Sequence, residues 1–297
     1  MRKFLSCLST AALITASAPA IAQEEKVFQP GEHTVEGTID GERVRIEIAP
    51  DAPNSPVLAP ETAQRLGLKG SMIQGVHLVG RTKIKARSNR IKIDFGDGER
   101  KTRRAFFFDG EWHGAGEALI NPASLNEPVV TYRLREQAAG EATISLPLLH
   151  QDIAGYYTEL VLGEERVPAF FTLARGETMA TAATGALLAQ AFGGAMAGES
   201  RAMDIEFGIE RPVRAMSFTG TPMLGQLPLA NIVVRTQDTG STADIPDDER
   251  DPNEIVVTGG KGKPLKRLWI GTDTLAACSS LTFDSVAQEI RLSCAAS

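Results

Sequence analysis

Asp51 and Arg175 are well placed to bind a ligand, because each lies in the turn of one copy of a repeated segment. The copies, 43–68 and 166–194, both open with Arg-Val and read as an apolar strand, a turn, a short strand and a small helix closed by glycine. A carboxylate and a guanidinium there would anchor a ligand by charge-assisted hydrogen bonds. The candidate binding residues in the two turns are Ala49, Pro50, Asp51, Ala52, Ala174, Arg175 and Gly176.

Periodicity and capping residues predict the elements that hold these turns. Residues 34–48 alternate apolar and polar positions around an Asp-Gly turn, which is typical of a half-buried hairpin. A proline at the start and a glycine just past the end predict a first helix at 60–66. The run 182–192, between Thr181 as N-cap and two glycines, predicts the second helix.

The rest of the chain indicates a mostly β protein. Residues 71–108 read as strands with a Gly-Asp-Gly turn between the last two, which predicts a hairpin. The second half adds apolar or alternating runs, at 144–149, 157–161, 203–209, 213–218 and 232–235. A polar, alanine-rich stretch at 136–142 is predicted to be the linker between the halves.

The N-terminus predicts export. Arg2 and Lys3 precede an apolar run, and Ala20-Ile21-Ala22 has the small-x-small form of a cleavage site, so 1–22 is predicted to be a signal peptide cleaved after Ala22. The later chain has no run of about 20 apolar residues, so we expect a protein that does not span a membrane. Its predicted location is the periplasm or the extracellular space.

Cysteine usage agrees with an oxidising compartment. Cys7 would leave with the signal peptide, and the remaining Cys278 and Cys294 form the one possible intrachain pair. We predict a disulfide between them. Two free buried thiols are the alternative.

Several short motifs resemble the pepsin- and retropepsin-like aspartic proteases. They are the two strand–turn–helix copies, the run Leu268-Trp269-Ile270-Gly271 and the related run Leu119-Ile120-Asn121. The resemblance covers roughly residues 34–294. It implies two related β lobes, 23–135 and 143–297, that face each other across a cleft whose floor is formed by the two turns. The polar composition of residues 236–254 separately predicts an acidic loop in the second lobe.

The catalytic motif of that family, Asp-Thr/Ser-Gly, is missing from both turns. Different alignments place its aspartate near Ala49, Pro50 or Asp51 in the first turn and near Thr172 or Ala174 in the second, and none supplies two aspartates. Asp51 is therefore the single candidate catalytic residue, and it is also typical of a plain turn residue. Since two carboxylates must share a proton in that chemistry, we expect a non-catalytic protein that binds an extended peptide or protein segment.

An active aspartic-type endopeptidase with an atypical site around Asp51 is the alternative. In the binding protein, Arg175 in the cleft is expected to keep Asp51 ionised.

A second alternative is an envelope interaction protein. The residues Glu254, Ile255, Val256, Val257 and Thr258, followed by glycine, resemble the TonB box of outer-membrane transporters. Such a segment binds a TonB-type partner by adding a strand to its sheet, and an acidic, polar loop precedes it here. The same residues could form an internal strand.

Other chemistries are less well supported. His113 and Glu117 are four residues apart, but two intervening glycines argue against a helix that presents both to a metal.

The segment from Arg81 to Arg104 contains ten basic residues. Lysines and arginines there would protect exposed edge strands from pairing with other chains. After signal removal 29 basic side chains face 37 acidic ones, a net charge of −8, which argues against nucleic acid. We predict no cofactor and no metal.

Overall fold

A computed structural model describes residues 24–73, 75–79, 82–206, 208–236 and 265–295. The predicted signal peptide, nearly all of the acidic loop and the segment Glu254 to Thr258 lie outside these ranges. The described chain is mostly β, as predicted. None of its helices is long and apolar enough to cross a membrane.

The N-terminal half is built from nine strands and one α-helix within the described residues. In chain order they are β1 (Glu25–Phe28), β2 (Thr34–Ile39), β3 (Glu42–Ile48), β4 (Val57–Leu58), α1 (Pro60–Arg65), β5 (Gly75–Val79), β6 (Thr82–Asp94), β7 (Lys101–Phe107), β8 (Ala118–Ile120) and β9 (Val129–Arg133). A 3₁₀ turn, Pro122–Ser124, follows β8.

The C-terminal half contains the remaining elements of the described chain. They are β10 (Ala142–Pro147), β11 (Leu149–Gln151), β12 (Gly155–Leu162), β13 (Glu165–Phe171), β14 (Thr178–Ala180), α2 (Ala182–Phe192), β15 (Gly194–Glu206), β16 (Ile209–Phe218), β17 (Met223–Leu224), β18 (Leu227–Pro228), β19 (Ile232–Arg235), β20 (Leu268–Ile270), α3 (Thr272–Leu275), β21 (Cys278–Asp284) and β22 (Glu289–Cys294).

Helix α2 has the predicted bounds and caps. The hydroxyl of Thr181 accepts a hydrogen bond from the backbone N–H of Thr184, and Gly193 closes the helix with a φ of 65°. A left-handed residue at this position favours glycine because a Cβ would be strained there.

Each half contains one large sheet, and the two sheets share a strand order. The first runs β2-β3-β8-β4-β7-β6-β5, and the second runs β11-β12-β13-β20-β14-β19-β16-β15. Strand directions also agree: β3 is parallel to β8 as β13 is to β20, and β4 is parallel to β7 as β14 is to β19. Apart from β11, every strand of the second sheet therefore has a counterpart in the first.

A third sheet joins the halves, in the order β1-β9-β21-β22-β10. Tyr132 from β9 lies edge-on to Phe283 from β21, with ring centroids 6.1 Å apart, and both are almost fully buried. The hydroxyls of Thr131 and Thr282 are hydrogen-bonded at 2.7 Å across the same pair of strands. One hydrophobic core thus continues from the first half into the second.

The predicted disulfide is confirmed. Cys278 begins β21 and Cys294 ends β22, where the two residues are paired across the antiparallel strands. Their sulfurs lie 2.05 Å apart, and both residues are buried.

The predicted linker at 136–142 contacts the third sheet through Glu141. Its carboxylate accepts hydrogen bonds from the hydroxyls of Ser279 and Ser293 and forms an ion pair with Arg135 at 2.7 Å. The bond from Ser279, above all, lowers the pKa of Glu141 to about 2. The end of this segment is therefore fixed to β21 and β22.

Candidate functional site

The turns that follow β3 and β13 occupy equivalent places in the two sheets. The N–H of Ala49 donates to the carbonyl of Ile120 at 3.0 Å, and the N–H of Thr172 donates to the carbonyl of Ile270 at 2.9 Å. Since Ile120 ends β8 and Ile270 ends its counterpart β20, Ala49 and Thr172 correspond. Asp51 then corresponds to Ala174, so only the first turn carries a carboxylate.

The two turns meet at one cavity of about 290 Å³, called the central cavity below. Five of the seven predicted floor residues line it: Ala49, Asp51, Ala52, Ala174 and Arg175. The other two lie beside it in the turns. The carbonyl of Pro50 accepts a hydrogen bond from Asn121, and the carbonyl of Gly176 accepts one from the N–H of Asp273.

Other lining residues were not predicted from the sequence. Both tryptophans of the chain, Trp112 and Trp269, line the central cavity, together with Met179 from β14 and Ile205 near the end of β15. The charged or titratable additions are Glu47, His113, Asp204 and Glu206. The Leu-Trp-Ile-Gly motif pointed to Trp269 as part of the scaffold, whereas no local pattern places Trp112 or the end of β15 at a cavity.

Asp51 is half-buried on the floor of the central cavity. Removal from water raises the pKa of its carboxyl, and the negative charge of Glu206 adds to this rise. A hydrogen bond with the Thr172 side chain and the charge of Arg175 act in the opposite direction. The net shift is upward, because burial outweighs the guanidinium. Arg175 by itself acts in the expected direction, since its charge favours the ionised carboxyl.

The raised pKa makes stability depend on pH with a definite sign. Below the ordinary value of 3.8 the carboxyl of Asp51 is neutral in both the folded and unfolded states. As pH rises from there to the raised folded pKa, the unfolded state ionises first and the fold loses stability. Asp51→Asn stays neutral at every pH. Its free energy of unfolding in urea, minus that of the unmodified protein, should therefore increase as the pH rises from about 4 to about 7.

Asp152→Asn is the matched control, since Asp152 is exposed on the turn before β12. Its stability relative to the unmodified protein should not grow over the same pH range. A loss of relative stability in Asp51→Asn as pH rises would show that ionised Asp51 stabilises the fold.

Arg175 connects the second turn to the β15–β16 hairpin. Its Nη2 donates to the carbonyl of Ile205 at 2.7 Å, and its Nη1 lies 3.3 Å from the sulfur of Met179. The guanidinium is therefore held between β14 and the end of β15, at the wall of the central cavity.

Asn121 holds the first turn in place through hydrogen bonds. Its fully buried side-chain amide donates to the carbonyls of Pro50 and Ala52, at 2.8 and 3.0 Å. Its Oδ1 accepts the N–H of Tyr156, which belongs to β12 of the other half. Gly155 permits this approach, because a Cβ there would lie 2.2 Å from the Asn121 side chain. The first turn is thus tied directly to the C-terminal half.

The remaining predicted sites are placed as follows. The partner-binding segment, Glu254, Ile255, Val256, Val257 and Thr258, lies outside the described residues. Within the described ranges, no group of three or more histidine, cysteine, aspartate or glutamate residues is arranged to hold a metal ion.

The sequence of this chain matches no protein-family model, and it matches no curated protein.

Proposed function

We propose that this protein binds an extended peptide or protein segment in the central cavity without cleaving it, on a two-lobed, pepsin-like scaffold. The repeated strand order of the two large sheets supports the two-lobed scaffold. The meeting of the two corresponding turns at one cavity supports a binding site between the lobes.

One observation carries the non-catalytic part of the proposal: the two turns supply a single carboxylate. Asp51 in the first turn corresponds to Ala174 in the second, and the side chain that bonds to Asp51 from the second turn is the neutral Thr172. Water activation by paired aspartates requires two carboxylates close enough to share a proton. The turns of this chain cannot form that pair.

Strand β15 favours an extended ligand. It lies at the edge of the eight-stranded sheet, and its last residues, Asp204 to Glu206, line the central cavity. An edge strand can pair with an added segment through backbone hydrogen bonds, while a neighbouring cavity selects among alternate side chains. The apolar lining from Met179, Ile205 and Trp269 suits an apolar side chain of the ligand.

A peptide selection tests this proposal. Peptides of about 12 residues, enough to span a strand of typical length, are selected from a random display library on the unmodified protein. The best peptide is then measured against Ala174→Trp, which places an indole in the cavity from an exposed position. Its affinity should fall at least about tenfold, a loss of about 1.4 kcal/mol.

Ala138→Trp is the matched control, because Ala138 is exposed in the segment before β10. It should leave the affinity unchanged. Equal affinity for both tryptophan variants, or no selected peptide at all, would contradict peptide binding in the central cavity.

Peptidase activity is the second candidate, and the surroundings of Asp51 favour it. Glu206, which comes from the other half, is a second carboxylate near Asp51, and its negative charge adds to the rise in the pKa of Asp51 that burial mainly causes. The selected peptide and denatured casein would be incubated with the protein from acidic to neutral pH, with Asp51→Ala and Glu206→Gln as comparisons. Pepstatin-sensitive cleavage that Asp51→Ala abolishes would replace the binding proposal with this one.

The proposed place of action is outside the cytoplasm, in the periplasm or secreted. The disulfide between Cys278 and Cys294 agrees with an oxidising compartment. Fractionation of cells that express the full chain would test this location.

A further inference from the structure

Two segments from different halves line the central cavity. The segment 108–117, between β7 and β8, contributes Trp112, His113 and Gly114. The end of β15 contributes Asp204, Ile205 and Glu206. These segments are more than 80 residues apart in the chain, so a contact between them joins the two halves beside the cavity.

His113 makes the central contact between the two segments. Its Nδ1 lies 2.7 Å from Oδ2 of Asp204, and its Nε2 lies 3.2 Å from Oε2 of Glu111. Both ring nitrogens therefore face carboxylate oxygens, one from each half. Gly208, just beyond β15, packs beside Glu111, since a Cβ at Gly208 would lie 3.2 Å from that side chain.

This geometry fits one protonation state of the imidazole. A neutral imidazole has one N–H donor and one lone pair, so one of its nitrogens would present a lone pair to a carboxylate. The doubly protonated ring donates to both Asp204 and Glu111, and its positive charge strengthens both bonds. About half of the His113 side chain is exposed, so it can exchange its proton with bulk water.

We propose that His113 is a pH-sensitive latch that holds segment 108–117 over the central cavity. When the imidazole is protonated, it joins Glu111 to Asp204 and the cover is closed. When it loses its proton, the bond across the halves weakens and the cover opens. Histidine is the side chain that ordinarily changes charge between about pH 5 and 8. The latch controls access to the cavity whatever its occupant.

Other charged groups surround the latch. Glu47 of β3 accepts a hydrogen bond from the N–H of Ala115 at 2.6 Å and contacts the ring of His33 at 3.1 Å. The remaining charged groups that line the cavity are Asp51, Arg175 and Glu206. The effect of pH on His113 must therefore be distinguished from its effect on His33 and Asp51 by separate variants.

Trp112 reports the position of the cover. Its indole N–H donates to the carbonyl of Gly116 at 2.7 Å, so the ring moves with segment 108–117. Trp269→Phe leaves Trp112 as the one tryptophan in the chain. In this variant without ligand, acrylamide quenching of Trp112 fluorescence should rise about twofold between about pH 5.5 and pH 8, as the cover opens.

Further variants test whether His113 causes this pH-dependent change in the quenching of Trp112. His113→Gln and Asp204→Asn, each in the Trp269→Phe background, should show the high quenching at both pH values. His33→Gln and Asp51→Asn should keep the transition. Hydrogen exchange of 108–117 in the unmodified protein provides a second measurement, which should become faster at pH 8 by more than the intrinsic pH effect.

Two results would overturn the latch. One is quenching and corrected exchange that do not change with pH; the other is a transition that survives in His113→Gln. Neither result bears on peptide binding, because all these measurements use the protein without ligand. Failure of the latch and failure of the proposed function are therefore distinguishable.

Discussion

Asn121→Ala is expected to lower the free energy of unfolding by about 4 kcal/mol, because it leaves several buried backbone groups without partners. The carbonyls of Pro50 and Ala52 would lose their donor, and the N–H groups of Ala123 and Tyr156 would lose their acceptor. The side chain is fully buried, so water cannot replace these bonds without a rearrangement. Urea unfolding of the variant and the unmodified protein measures the loss.

Asn126→Ala is the matched control for this change. Asn126 donates to the exposed carboxylates of Asp97 and Glu99, where water can take its place. We expect a change within about 0.5 kcal/mol. If the two alanine variants unfold at the same urea concentration, the buried amide is not what fixes the first turn.

Loss of the disulfide is expected to cost about 3 kcal/mol, the value of the chain-entropy model for a loop of about 15 residues. Cys278 and Cys294 are 16 positions apart and close the β21–β22 hairpin of the sheet that joins the halves. The double variant Cys278→Ser, Cys294→Ser should therefore unfold at lower urea concentration than the oxidised protein.

Reduction provides the control for the serine substitutions. The unmodified protein treated with a reductant should approach the stability of the double variant, and the reductant should leave that variant unchanged. Equal stability of the oxidised and reduced protein would show that the strands of this sheet, rather than the crosslink, hold the ends of the hairpin together.

Elements with strong local signals were predicted closely. Helix α2 begins after Thr181 and ends before Gly193 as predicted, because both caps depend on neighbouring residues. The β2–β3 hairpin also follows the predicted alternation, and Asp40 in its turn has a φ of 52°. Local hydrogen bonds and side-chain periodicity are properties that a sequence contains by itself.

Strand β15 shows where local signals are insufficient. Alternation predicted a strand at 203–209, but β15 begins at Gly194, directly after the helix cap. Residues 194–202 are mostly small or polar and largely exposed, so they lack the apolar period of a strand. Their extended conformation comes from pairing with β16, a partner that supplies the backbone hydrogen bonds.

The sequence by itself determined the mostly β class, the repeated strand–turn–helix segments, the one pair of cysteines left after signal removal and the lack of two turn aspartates. Only the tertiary structure decided that Ala49 corresponds to Thr172, that burial outweighs Arg175 at Asp51 and that His113 meets Asp204. The reason is physical: caps, alternation and residue identity are local. Burial and the meeting of side chains depend on how distant strands pack, which no short stretch of the chain specifies.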